Sequence, residues 1–217
     1  MEWSTWLAFF AASWAISLSP GAGAVAAMSA GLSHGFVRGY TMTLGLVLGI
    51  WTQILVVGLG LGALIATSAP GFTLVKWAGA AYLIWLGIQQ WRAPAKLMVA
   101  EANPQDSDAA GAGLRTRRRE LVLRGWMINT VNPKGTVFLL AVVPQFLELA
   151  QPLAPQYGVI ALTLGFTDLV VMAGYTALAA RVLRSLREAH HIRVMNRVFG
   201  SLFVGAGALL ATFKRAV

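Results

Sequence analysis

The sequence predicts an all-α membrane protein of six transmembrane helices, arranged as two inverted repeats of three, in which helices one and four are broken. Three observations lead to this fold class. The 217 residues are 57% hydrophobic and 12% charged, whereas a soluble domain is about 45–50% apolar and about 25% charged. The apolar residues form long runs, most of them without an acid or a base, that can cross a bilayer core of about 30 Å. Lys and Arg cluster between alternate runs, as they do in cytoplasmic loops.

The same composition excludes several other classes of protein. So high an apolar content excludes a water-soluble globule and a disordered chain. The chain has no cysteine, which excludes a disulfide-stapled module, a thiolate metal site and thiol redox chemistry. The net charge of +9 does not indicate a nucleic-acid partner, because the basic residues lie in short loops and no binding motif accompanies them. We therefore expect no nucleic acid, no metal and no cofactor.

The spans follow one another with recognisable boundaries. The first lacks a basic leader and continues past residue 30, so we interpret it as a retained span rather than a signal peptide. Ala69-Pro70-Gly71 predicts a turn between spans two and three. Residues 92–120 form the one markedly polar stretch and predict a loop. The predicted spans cover about 5–30, 39–66, 72–91, 121–147, 156–182 and 198–213.

The distribution of Lys and Arg predicts the orientation. The loops after spans one, three and five carry 13 of these residues, and the opposite ends carry 2. Because cytoplasmic loops hold the excess of positive charge, we expect residues 92–120 and 184–197 to face the cytoplasm. Both termini would then lie outside.

Two spans are interrupted near their middle by a capping residue followed by proline. Ser19-Pro20-Gly21 interrupts span one and Asn132-Pro133-Lys134 interrupts span four. Ser and Asn are good N-cap residues and Pro suits the first helical position, so each break predicts a half-helix that begins inside the membrane. The N–H groups at two such ends would suit a carboxylate. The alternative is a pair of proline kinks whose freed groups are satisfied by neighbouring helices.

The matched breaks also indicate an internal repeat. Spans three and six begin with similar motifs, Lys76-Trp77-Ala78-Gly79 and Arg197-Val198-Phe199-Gly200. With three spans in each half, the halves would have opposite orientations, as in many secondary transporters. We therefore expect a single transmembrane domain with repeat one at about 1–91, the cytoplasmic loop at 92–120 and repeat two at about 121–217.

Three of the polar side chains inside the predicted spans are candidates for a site. Asp168 is the one acid in the middle of a span, where a charge costs about 2.5–3.5 kcal/mol on insertion scales. It would carry a proton, bind a substrate ammonium or form a structural pair with Lys134. Lys134 in turn either binds a carboxylate or neutralises Asp168. Gln53 lies in the first half nearly where Asp168 lies in the second, and it is either a member of the site or a helix-bonding residue.

The motifs extend over nearly the whole chain: Leu18–Gly21, Lys76–Leu83, Trp85–Gly87, Gly125 with Asn129, Asn132–Lys134, Pro144–Phe146, Asp168 and Tyr175. Together they resemble the LysE/RhtB family of bacterial amino-acid exporters. The resemblance implies six spans, proton-driven export of an amino acid or a close derivative, and the bacterial inner membrane. The family usually has Pro-Gly-Pro followed by Asp or Asn in span one. Here the sequence Pro20-Gly21-Ala22-Gly23-Ala24 lacks that polar side chain.

These observations predict a secondary transporter rather than an enzyme. The chain has no P-loop motif for ATP, which favours the proton gradient as energy source and Asp168 as the proton-coupling residue. The partners would be a small amino-acid-like substrate, protons and the lipid bilayer, with a homo-oligomer left open. The alternative functions are a small-solute channel and a structural membrane subunit. The expected substrate-binding residues are Ser19, Pro20, Gly21, Gln53, Asn129, Asn132, Pro133, Lys134 and Tyr175.

Overall fold

The computed structural model describes residues 1–67, 69–92, 117–148 and 150–181, and single positions from 197 to 208. Side chains are described there except at 61–76 and at a few positions between 79 and 90. These described residues are all-helical and contain no strand, which confirms the predicted class. The helices are α1 (Trp3–Leu18), α2 (Ala22–Gly39), α3 (Thr41–Thr67), α4 (Ala69–Arg92), α5 (Arg118–Thr130), α6 (Pro133–Val142), a 3₁₀ helix (Val143–Phe146) and α7 (Leu153–Arg181).

Within the described ranges, two helical segments are long and apolar enough to cross a membrane. They are Thr41–Gly60 of α3, with 20 residues, and α7, with 29 residues. The bent pair of α1 and α2 adds a third if it is counted as one span. Most of the predicted loop 92–120, of the basic stretch 184–197 and of the predicted sixth span at 198–213 lies outside the described residues. Six spans and the inverted repeat therefore stay predictions.

The predicted boundary between spans two and three is confirmed, but Ala69-Pro70-Gly71 does not form the turn itself. Helix α3 ends at Thr67 and α4 begins at Ala69, so Pro70 and Gly71 belong to the first turn of α4. Proline is tolerated there, because the N–H groups of a first turn have no partner within the helix.

Glycines bring α3 and α5 into backbone contact. A Cβ added to Gly45 would overlap the Val122 carbonyl, and one added to Gly125 would overlap the Met42 carbonyl. In a bilayer, where apolar burial between helices gives little driving force, such close packing is a main source of helix association. The contact places the C-terminal end of α5 beside the middle of α3.

Two apolar clusters lie on either side of the polar centre. One contains Phe9, Ile54, Phe138 and Leu164, and joins α1, α3, α6 and α7. The other joins α2, α3, α5 and α7. Along α7, the first cluster ends at Leu164 and the second begins at Val171. Asp168 lies in the interval between them.

Candidate functional site

The first helix break lies between α1 and α2, whose axes meet at a bend of 55°. The prediction that Ser19 caps α2 and that Pro20 opens it is wrong. The N-cap residue is Gly21, and no side chain caps the helix. Proline disfavours the helical conformation of the residue before it, and Ser19 is accordingly extended, with ψ 122°. Its Oγ is buried without a hydrogen-bond partner.

The second break, between α5 and α6, has the predicted local geometry. Asn132 is the N-cap of α6, and Pro133 occupies the first turn. The Asn132 side-chain oxygen accepts a hydrogen bond from the Lys134 backbone N–H at 3.1 Å. The Asn132 amide nitrogen donates to Asn129 Oδ1, also at 3.1 Å. This break is therefore capped by residues close in sequence.

Side chains from the second half of the chain bind the carbonyl groups freed at the first break. Lys134 Nζ donates to the Ser19 carbonyl at 2.6 Å and lies 3.5 Å from the Pro20 carbonyl. The Tyr175 hydroxyl donates to the Leu18 carbonyl at 2.7 Å. An ammonium is favourable here, because the C-terminal end of a helix carries partial negative charge.

Gly21 leaves room for the lysine. A Cβ at this position would lie 3.2 Å from Lys134 Cδ and 3.4 Å from Lys134 Nζ. A larger residue would therefore push the ammonium away from the first break.

Helix α3 is hydrogen-bonded to the second break through Gln53 and the Leu46 carbonyl. Gln53 Nε2 donates to the Asn132 carbonyl and to Thr136 Oγ1, both at 2.8 Å. Asn129 Nδ2 donates to the Leu46 carbonyl at 2.7 Å. Gln53 is 4% exposed, and its Oε1 has no partner. That oxygen lies against the first turn of α6, since a Cβ on Gly135 would come within 2.6 Å of it.

Asp168 is buried on α7 and faces the end of α1. Its Oδ1 accepts a hydrogen bond from Ser17 Oγ at 2.6 Å. The Ser17 oxygen also lies 3.0 Å from Thr167 Oγ1. The Lys134 ammonium is near enough to attract the carboxylate, while it donates to the carbonyl groups of the first break.

The structure brings all ten predicted site residues to the two breaks. Sequence reasoning missed Ser17, Thr167 and Thr136, whose hydroxyl groups link these residues. The available signal was the presence of hydroxyl side chains within long apolar runs. In the part of the chain described, no three His, Cys, Asp or Glu residues are grouped closely enough to hold a metal ion.

Comparison with known proteins identifies the family. The sequence pattern described as "LysE type translocator" matches residues 14–213. The chain belongs to the LysE family. It is therefore a membrane transporter rather than an enzyme, as the sequence motifs predicted.

Relatives of similar length support an efflux function within the LysE family. The chain is 40% identical to a homoserine/homoserine lactone efflux protein of Salmonella typhimurium, over 99% of this chain and 98% of the relative. It is 43% identical to an uncharacterized membrane protein of Vibrio cholerae, over 99% of this chain and 100% of the relative. It is 28% identical to a leucine efflux protein of Enterobacter, over 91% of this chain and 90% of the relative. No solved structure matches.

Proposed function

We propose that this LysE family protein exports a small amino acid or amino-acid derivative across the bacterial inner membrane in exchange for protons. The observation that carries the proposal is the contact between the two breaks. The Lys134 ammonium, at the start of α6, binds the backbone carbonyl of Ser19 at the end of α1. A substrate carboxylate is a stronger acceptor than a backbone carbonyl. We therefore propose that the carboxylate replaces the Ser19 carbonyl on Lys134 during transport.

Acceptor atoms near the breaks suit the rest of a zwitterion. Ser19 Oγ and Gln53 Oε1 are buried without partners, and an unpaired buried polar atom is unfavourable by about 1–3 kcal/mol. An ammonium or hydroxyl group of the substrate would satisfy them. Relatives 40% identical to this chain are named for homoserine, which carries both groups, so L-homoserine is the first substrate to test.

The finer architecture is part of the same proposal. We propose one domain with two inverted repeats, at about 1–91 and 121–217, joined by a cytoplasmic loop at 92–120, with both termini outside. The contacts support this arrangement. Gln53, in the first half, bonds the break of span four, and Tyr175, in the second half, bonds the break of span one. Hydrogen bonds from each half of the chain to the break of the other half are expected of a paired repeat.

Proton coupling is assigned to Asp168. It is 7% exposed, and an acid inside a membrane span is a functional candidate by default. Its carboxylate bonds α1 next to the first break, through Ser17. Loss or gain of a proton at this position would therefore change how α1 is held.

The test is uptake of radiolabelled L-homoserine into inside-out vesicles. The wild-type protein should accumulate homoserine when the lumen is acidic. Asp168→Asn should exchange homoserine down its gradient and lose the accumulation. Accumulation by the Asn variant would contradict the proton-coupling role of Asp168. Absence of homoserine and leucine transport by the wild-type protein would contradict the proposed substrate class.

A further inference from the structure

A chain of hydroxyl groups connects α1 to Asp168. Ser17 Oγ lies 2.6 Å from Asp168 Oδ1 and 3.0 Å from Thr167 Oγ1. Thr167 Oγ1 lies 3.1 Å from the Leu164 carbonyl oxygen. Ser17, Thr167 and Asp168 are 4%, 0% and 7% exposed. Because water has so little access, these groups must satisfy one another.

The number of hydrogens determines which group donates to which along these hydroxyls when Asp168 is charged. Each hydroxyl has one hydrogen to donate and two lone pairs, and a charged carboxylate only accepts. The Ser17 hydrogen therefore points to Asp168 Oδ1. The Thr167 hydrogen then points to the Leu164 carbonyl or to the Ser17 oxygen. No hydroxyl hydrogen is left unpaired.

The same atoms also satisfy the protonated form. A protonated Asp168 donates its new hydrogen to Ser17 Oγ. The Ser17 hydrogen then turns to Thr167 Oγ1, and the Thr167 hydrogen points to the Leu164 carbonyl. Each hydroxyl still carries one hydrogen, the carboxyl has gained one, and every hydrogen has an acceptor.

We propose that Ser17 and Thr167 form a reversible hydrogen-bond relay that keeps Asp168 paired in both its charged and its protonated form. This inference rests on the proposed proton exchange at Asp168. Changing direction requires rotation of the Ser17 hydroxyl, and also of the Thr167 hydroxyl when its hydrogen had pointed to Ser17. Ser17 and Thr167 are positioning residues, because they act on transport through Asp168.

The surroundings of Asp168 leave few other groups that could drive such a reversal. Lys134 on α6 is the charged group of the described residues whose field acts on the carboxylate. Helix α3 contains no acid or base. Helix α2 is kinked at Gly35, and Tyr40, at its C-terminal end, donates its hydroxyl hydrogen to the carbonyl of Leu169, the residue after Asp168, at 3.0 Å. On α7 itself, Tyr175 is two turns away and donates to Leu18.

The relay predicts opposite effects from its two hydroxyl groups. Ser17→Ala removes the donor to the charged carboxylate. A hydrogen bond to a charged group is stronger than one to a neutral group, so the lumenal pH at half-maximal homoserine uptake should rise by about one unit. Thr167→Val removes the acceptor that the Ser17 hydrogen needs only in the protonated form. The same pH should therefore fall, by about half a unit.

Two further threonine variants serve as controls. Thr176 is also on α7 and fully buried, and its Oγ1 has no partner. Thr176→Val should therefore keep the lumenal pH at half-maximal uptake within about 0.2 pH units of wild type. Thr167→Ser retains the hydroxyl and should restore the wild-type midpoint. Homoserine exchange without a gradient establishes that each variant is inserted and functional. If Ser17→Ala is not inserted, Ser17→Cys keeps a weaker donor and should give a smaller upward shift.

The experiment separates the relay from the proposed function. Opposite shifts at Ser17 and Thr167, with none at Thr176, would support the relay. The relay would be overturned if the half-maximal pH shifted in the same direction in both variants, or did not shift in variants that still exchange homoserine. The proposed function would stand in that case, provided that the wild-type protein still shows pH-driven uptake. Loss of pH dependence in the wild-type protein would instead contradict the proton coupling on which the relay depends.

Discussion

The two helix breaks contain the same residue, proline, but are stabilised in different ways. At the second break, Asn132 caps α6 and Pro133 occupies the first turn, so the geometry is encoded by neighbouring residues. At the first break, no side chain caps α2. The end of α1 is held instead by Lys134 and Tyr175, from distant parts of the sequence. The second break therefore has a cap of its own, to which Gln53 of α3 adds a bond, whereas the first has no side-chain cap and depends on what Lys134 and Tyr175 bind.

This difference suggests separate roles in transport. In the proposed mechanism, helix α6 presents the Lys134 ammonium at a constant position. The end of α1, which that ammonium binds, would be released when a substrate carboxylate takes its place. Substrate binding would thus change the first break and leave the second unchanged.

The largest effect is expected when Lys134 is removed. Lys134→Met deletes the bond to Ser19 and the proposed ligand of the substrate carboxylate. Truncating one partner of a buried charged pair is unfavourable by about 2–5 kcal/mol, so homoserine uptake into vesicles should fall by about 100-fold or more. Arg181→Gln, which removes an exposed charge at the end of α7, is the matched control and should transport normally. Uptake within twofold of wild type by Lys134→Met would show that the two breaks do not act through this residue.

A smaller and unequal effect is expected from the two prolines. Replacing Pro133 with Ala stabilises a continuous helix across the second break by up to about 3 kcal/mol. The Asn132 cap opposes this change because it favours the break, so uptake should fall only about tenfold. Pro20 lies outside both α1 and α2, and Lys134 and Tyr175 would still hold the end of α1 without it, so Pro20→Ala should keep uptake within about twofold of wild type. Equal losses in the two variants would remove the distinction between a locally encoded break and one held by distant residues.

The smallest effect is expected when the residues at the predicted cap positions, Asn132 and Ser19, are replaced by alanine. Asn132→Ala removes a side-chain cap and should lower the stability by about 1 kcal/mol, seen as a lower unfolding temperature in detergent. Ser19→Ala removes a hydroxyl that caps nothing and has no partner, so the unfolding temperature should not fall. Comparable losses of stability would mean that Ser19 also stabilises its break.

The sequence predicted the helical class, both breaks and the cap at Asn132, because these follow from composition and from contacts within a few residues. It mispredicted the cap at Ser19, because α2 begins two residues later than expected, with Gly21 as its N-cap, and the end of α1 is bound by Lys134, more than 100 positions away. It also missed Ser17 and Thr167. A hydroxyl in an apolar run becomes informative only when the packing of α1 on α7 shows that it faces Asp168.

Spin labels provide the most direct test of the comparison between the breaks. The chain has no native cysteine, so pairs of labels can be introduced cleanly. One pair, at Leu7 and Leu32, spans the first break, and another, at Leu123 and Gln151, spans the second; all four positions are exposed. Distances within each pair are measured with and without L-homoserine in lipid vesicles. We predict that homoserine changes the first distance distribution and leaves the second unchanged. A change only at the second pair, or no change at the first in protein that transports homoserine, would contradict the account.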